Sequence, residues 1–191
     1  MNEGNRITLH KEKIMSLKRY SKKCFLADGT PILIRAIKQS DRQRLSEGFH
    51  HLSSQSIFYR FFRRKKDLSE EELRYFTEVD FDHHVAIVAA IMDGDKEDDI
   101  GVARFVEIQT HNPERVAEFA LAIEDEYQNK GVGTLLFKHL VSIAQQQGFS
   151  KLIADVLLDN KGMMRILKNS GFKLKTTIDQ GIAHVELKIK E

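Results

Sequence analysis

Hydrophobic and polar positions follow two rhythms along this chain, a period of two and a period near 3.6, and the changes between them mark its elements. "GTPILIRAI" (29–37) alternates and is β-branched after a turn, which predicts a strand. Asp41 reads as an N-cap ahead of a helical stripe made by Leu45, Phe49 and Leu52. "SSQSIFYRFF" predicts a second short helix, and a third starts at Ser69, where "SEEE" fits a capping box. The rhythm then shortens. "HVAIVAAIM" (84–92) reads as a buried strand, "DGDKEDD" (93–99) as its solvated turn and "IGVARFVEI" (100–108) as its antiparallel partner. "RVAEFALAI" (115–123) makes a third strand. A helix from Gly131 carries Val132, Leu135, Leu136, Leu140 and Ile143 on one face and stops at Gly148, a good C-cap. "KLIADVLL" is another strand, "NKGMMRILKNS" another helix ended by Gly171, and "GIAHVELKI" a final strand. With no repeat and no low-complexity linker, the order is helices, a three-strand antiparallel meander, then β-α-β-α-β. It predicts one α/β (α+β) domain on a mixed central sheet with helices on both faces.

Composition narrows the class. With 191 residues and 41% hydrophobic content the chain can bury a real core. A net charge of +2 gives no global field toward nucleic acid or membrane. The longest apolar run, Val85 to Met92, is far short of the ~20 residues a spanning helix needs, and the N-terminus has no signal-peptide character. The single cysteine, Cys24, forms no internal disulfide and points to a reducing, cytoplasmic setting. Residues 1–24 hold seven Lys/Arg and two acids, and read as a basic arm ahead of one domain over 25–191. Oligomeric state stays open between monomer and homodimer.

The candidate chemistry lies in "YQNKGVGTLLFKHL" (127–140), where two glycines and a lysine open a helix. Backbone without Cβ approaches a ligand closely, and a helix start offers unpaired N–H groups and a positive dipole end, a seat for phosphate. A Walker A loop needs GxxxxGK[ST], which is absent. A dinucleotide fingerprint needs a third glycine where Leu136 stands, and no acidic residue sits suitably about 20 positions on. What remains is Gln128-x-x-Gly131-x-Gly133 between a strand and a long helix. This resembles motif A of the GNAT superfamily of acetyl-CoA-dependent N-acetyltransferases, with the expected later Asn160, Gly171 and Phe172. "SQSIFYRFF", "FTEVDFDHHVAIVA", "AEFALAIEDEYQNKGVG" and "VLLDNKGMMRILKNSGF" together resemble the acetyltransferase domain of bacterial Pat-type protein-lysine acetyltransferases. In that family the domain is often fused to a cyclic-nucleotide or an acyl-CoA synthetase-like domain, and this chain carries neither.

The resemblance implies a GNAT fold and acetyl-CoA as co-substrate. The backbone of Leu121, Ala122 and Ile123 would pair with the pantetheine arm. After Gln128, the N–H groups of Asn129, Lys130, Gly131, Val132, Gly133 and Thr134 would hold the pyrophosphate, with Asn160 and Met163 on the pantetheine side. Alternation along 115–123 turns Glu118, Ala120 and Ala122 to one face, a carboxylate followed by two small residues suited to a channel floor. An acceptor lysine has a pKa near ~10.4, so transfer needs a base, and Glu118 matches the family's catalytic Glu. Many GNAT enzymes have a Tyr acid seven residues after the Asn; here Leu167 stands there. The acceptor is expected to be a protein lysine, with a small-molecule amine as alternative and a silent CoA-binding module as a rival. "DFDHH" (80–84) is not expected to hold a metal, since adjacent histidines entering a strand face opposite ways. "YRFFRRKKDL" (59–68) is expected to be a helix with Phe in the core and basic residues at its C-terminal end, or a lip guiding an acidic acceptor or the CoA phosphate, and not a nucleic-acid surface.

Overall fold

The computed structural model describes residues 3–94, 96–110 and 113–190. In chain order they form α1 (Glu3–Lys18), β1 (Ser21–Phe25), β2 (Pro31–Ala36), α2 (Arg42–His50), α3 (Ser54–Phe61), α4 (Glu70–Thr77), β3 (His84–Asp93), β4 (Lys96–Ile108) and β5 (Val116–Ile123). They continue as α5 (Val132–Gln147), β6 (Lys151–Leu157), α6 (Lys161–Lys168), β7 (Lys173–Asp179) and β8 (Ile182–Lys188). The eight strands make one mixed sheet in the order β1-β2-β3-β4-β5-β6-β8-β7.

Only β5 and β6 run parallel, and their pairing is brief. Val116, Ala117 and Glu118 face Lys151, Leu152 and Ile153, and there the ladder stops. β5 stays paired to β4 as far as Ile123, and β6 to β8 as far as Leu157. The two strands therefore part at Glu118, leaving one edge of residues 119–123 unpaired. On one face α5 buries Val132, Leu136, Leu140 and Ile143, as its pattern predicts, under Phe119, which meets Phe137 at 5.5 Å. Each such side chain is worth roughly 1.5–3 kcal/mol of burial. The helices α2, α3 and α4 cover the other face.

Local chemistry explains the helix starts. Ser69 accepts from the Glu72 N–H while Glu72 accepts from the Ser69 N–H, the reciprocal cap read from "SEEE". Asp41 holds the N-cap position of α2, yet its carboxylate caps nothing in that helix. It is fully buried and takes Arg35 Nη1 at 2.6 Å and the Lys38 N–H at 2.8 Å. Glu97 and Asp99, expected in a solvated turn, belong to β4 and also accept from Arg35. The turn is shorter than the sequence suggests because the β3–β4 ladder runs on to Asp93 and Lys96.

Two strands went unseen in the pattern. β1 pairs with Pro31 to Arg35 of β2 and crosses the boundary expected at residue 24, so the basic segment is tied into the sheet; Leu17 of α1 is buried as well. β7 is exposed at every position and has no apolar alternation to detect; pairing with β8 alone defines it at the sheet edge. The expectation of phenylalanines in the core at "YRFF" also needs correction. Phe61 is half-buried, while Phe58 and Phe62 are 40% and 38% exposed. Phe62 ends α3 in a left-handed conformation, φ 54°, which turns it outward.

Candidate active site

The parting of β5 and β6 opens two adjoining clefts, of about 480 Å³ and 500 Å³, which share Tyr59, Arg60, Leu121, Asn160 and Met163. The first gathers Leu121, Ala122, Ile123, Gln128, Asn129, Gly131, Gly133, Thr134, Asn160 and Met163. Two expected side chains lie elsewhere. Val132 is wholly buried in the core, and Lys130 is exposed with its Nζ 5.1 Å from the Tyr127 ring centre. Their backbone still belongs to the loop. Among the described residues, none of the six N–H groups from Asn129 to Thr134 donates to a protein acceptor; the first bond of α5 is Leu135 N–H to Gly131 O. Positive φ at Asn129 (61°) and Gly131 (97°) creates that run of free donors. They sit at the positive end of a 16-residue helix.

Side chains add to this field. Arg60, Lys161 and Arg165 line the first cleft, and among the described residues no carboxylate does. The sequence points to Arg60 only as one member of the basic run 59–68 and gives no sign of Lys161 and Arg165, because their approach to the cleft depends on how α3 and α6 pack. Gln128 acts as a tie: its Nε2 donates to Ile123 O at 3.1 Å and to Ser56 Oγ at 3.0 Å. Asn160 caps α6, its side-chain oxygen accepting from Met163 N–H at 3.0 Å. Gly133 has a reason beyond ligand approach. A Cβ there would lie 2.9 Å from Ile166 Cδ1, so glycine lets α6 close on α5.

The second cleft holds Glu118 where the strands separate. Glu118 is exposed and makes no hydrogen bond or ion pair among the described residues; its charge is felt by Arg60, which lines the same cleft. Ala120 and Ala122 follow on the same strand, one in each cleft. The expected division between a channel face and a packed face is incomplete, since Leu121 and Ile123 also line the first cleft at the strand's unpaired edge. Leu167 lies in the core, 1% exposed, and reaches neither cleft.

The discounted motifs resolve into structure. Asp80 Oδ1 accepts the N–H groups of Asp82, His83 and His84 at 2.8–2.9 Å, making "DFDHH" a turn. His83 faces outward to Glu107, 2.6 Å away, and His84 faces inward to Arg104. Burial and the Arg104 charge push His84 down to about 4. The basic run is not the helix end that the sequence suggests: α3 stops at Phe61, and beyond it Arg63 and Lys65 both bond Glu72.

The family profile described as an acetyltransferase (GNAT) domain matches residues 32–173, which span both sides of this opening. The chain belongs to the GNAT acetyltransferase family. GNAT relatives include an acetyltransferase of Pseudomonas aeruginosa, 27% identical over 77% of each chain. The acetyltransferase Pat of Mycolicibacterium smegmatis is 32% identical over 72% of this chain, which spans 40% of that protein's length. Among solved structures, the GNAT domain of S. lividans PAT superposes with a TM-score of 0.78 at 27% identity, over 88% of this chain and 96% of that one. This GNAT enzyme therefore keeps its free N–H run and Glu118 within the part of the chain that carries the family likeness.

Proposed function

We propose that this acetyltransferase moves the acetyl group of acetyl-CoA to the ε-amine of a protein lysine, with Glu118 as general base. One observation carries the reading. A ladder of six free N–H donors at a helix start, flanked by cations, adjoins a strand edge that leads to an unpaired carboxylate. The donors and cations suit the pyrophosphate of CoA, and the unpaired edge of residues 121–123 suits the amides of its pantetheine arm. Bound there, acetyl-CoA supplies an activated thioester. Glu118 receives the proton of the incoming ammonium, directly or through one water, because only the free base is nucleophilic.

A lysine acceptor is favoured by the open shape of the second cleft, by exposed Phe62 on its wall and by similarity to Pat. A long, single-amine side chain can enter from solvent while the rest of its protein stays outside. The test offers candidate proteins and a panel of small amines under identical acetyl-CoA supply, with mass spectrometry of both. Enzyme-dependent lysine acetylation above the enzyme-free background is expected. Rapid turnover of a small amine with no protein acetylation would assign the small-molecule alternative instead.

A further inference from the structure

Sheet register sets Ala86, Arg104 and Ala120 side by side on the face beneath α3 and α4. Two alanines leave room for a guanidinium to lie along the sheet. Arg104 is 5% exposed; its Nη1 donates to Phe76 O at 3.3 Å and His84 Nε2 at 3.2 Å, and its Cζ sits 4.3 Å from the Phe76 ring centre. Arg60 comes down from α3, its Cζ 5.0 Å from the Phe61 ring and 5.9 Å from Phe76.

Neither arginine forms an ion pair among the described residues. The contrast within the same fold is sharp: Arg35 meets Asp41, Glu97 and Asp99. Both Arg60 and Arg104 line a small, mainly apolar third cavity of about 60 Å³; Arg104 lines neither cleft, and Arg60 alone lines that cavity and both clefts. The acids that also line this cavity are engaged, Asp41 and Asp99 with Arg35 and Arg44, and Glu124 with His51. Burial and the Arg60 charge lower Arg104 to about 9, and burial likewise lowers Arg60. Arg104 is a buried charge without a counter-ion, which is costly, and Phe76 O and His84 would accept equally from a neutral donor; Arg60 is half-buried and feels the Glu118 charge from the same cleft without pairing to it. The expense makes sense if the missing anion arrives with a substrate.

We propose that Arg60 and Arg104 form a carboxylate subsite beside the transfer centre. The carboxylate belongs either to an acidic group next to the acceptor amine or to the far end of a dicarboxylic acyl group on CoA. The shared chemistry is a planar anion, which a guanidinium fork binds through two parallel N–H···O bonds. The proposal rests on the reading of these clefts as the site of acyl transfer.

Two turnover arms separate the sources. In the acceptor arm, paired lysine peptides carry Glu or Gln beside the lysine, with acetyl-CoA as donor. In the donor arm, succinyl-CoA is compared with butyryl-CoA on one fixed peptide. A ratio of kcat/KM favouring the carboxylate by ~10- to 100-fold is expected in one arm, the range for charge-assisted hydrogen bonds. Arg60→Gln should collapse that ratio toward one, and Arg60→Lys should keep part of it. Because each ratio is internal to one variant, a general loss of activity does not mimic the result. Arg104→Gln is read only if its melting temperature shows it folded. Ratios near one in both arms, or a preference that Arg60→Gln leaves intact, overturn the subsite. If no acyl transfer is found at all, glutarate binding by calorimetry decides. Binding that Arg60→Gln abolishes keeps the subsite while the transfer reading fails, and no binding rejects the subsite.

Discussion

Glu118 and His84 share one cross-strand row of the sheet, with Val106 between them, in opposite surroundings. Glu118 is exposed at the cleft and has no partner among the described residues, as the proposed base would need before an acceptor arrives. Glu118→Gln keeps size and polarity and loses the proton acceptor. Turnover should fall ~10² to 10⁴-fold, with acetyl-CoA affinity and melting temperature preserved, and the deficit should shrink at high pH as the acceptor arrives deprotonated. Wild-type kcat near neutral pH, under conditions where chemistry limits the rate, removes Glu118 from the mechanism. His84 is buried and neutral, its Nε2 accepting from Arg104. Its folded pKa is about 4, against 6.5 for the free side chain. As pH falls below about 6.5 the unfolded chain binds a proton that the folded protein refuses, so stability declines until about pH 4. One such group accounts for up to about 3 kcal/mol over that window. His84→Gln retains an acceptor for Arg104 but cannot titrate. Its urea-unfolding free energy should therefore fall less steeply between about pH 6.5 and pH 4. Parallel curves would mean that other groups govern acid stability.

At the scale of elements, α5, its entry loop and α6 form one device, and Gly133 stands where they meet. Gly133→Ala should be mild, because the atom its Cβ meets is the flexible end of Ile166. Gly133→Asp adds a carboxylate among the free N–H groups. A negative charge in a first helical turn favours the helix, so the fold should persist while acetyl-CoA affinity drops by at least ~10-fold. Calorimetry showing undiminished affinity in a folded Gly133→Asp protein would place the cofactor elsewhere. Elements with strong periodicity, such as α5, β3 and the Ser69 cap of α4, were legible because their sequence states both the face and the end. Strands β1 and β7 were not, since each is an exposed outer strand and pairing leaves no hydrophobic signature there. The site divides the same way. Gln128, Gly131, Gly133 and Asn160 announce themselves through backbone needs that a one-dimensional pattern records. Arg60, Lys161 and Arg165 converge only through the packing of α3 and α6, and Arg60 reads in sequence as one more basic residue at a helix end. Asp41 was legible as a cap position and illegible as the buried partner of Arg35, six residues away across a turn.

For the whole molecule, the decisive feature is how little joins the two parts of the sheet. The β5–β6 ladder has three residue pairs, and beyond it the strands are separated by the clefts. A ligand lying in the first cleft touches β5, the entry of α5, the start of α6 and α3 at once. It should therefore act as a bridge across the opening, and its binding energy adds directly to folding stability because the unfolded chain offers no such site. At a ligand concentration 100 times Kd the gain is about 2.7 kcal/mol, which for a chain of this size raises Tm by roughly 5–11 °C. The spatial pattern is as diagnostic as the amount. Amide exchange should slow at residues 119–123, in the 129–134 loop and at the N-terminus of α6, with little change in β1 or β7. Free CoA should give most of the effect if, as proposed, the donors hold its pyrophosphate; desulfo-CoA should match it, because no thiol contact is invoked. A melt unmoved by saturating acetyl-CoA, or protection spread evenly over the sheet, would show that the opening between β5 and β6 is not where the cofactor sits.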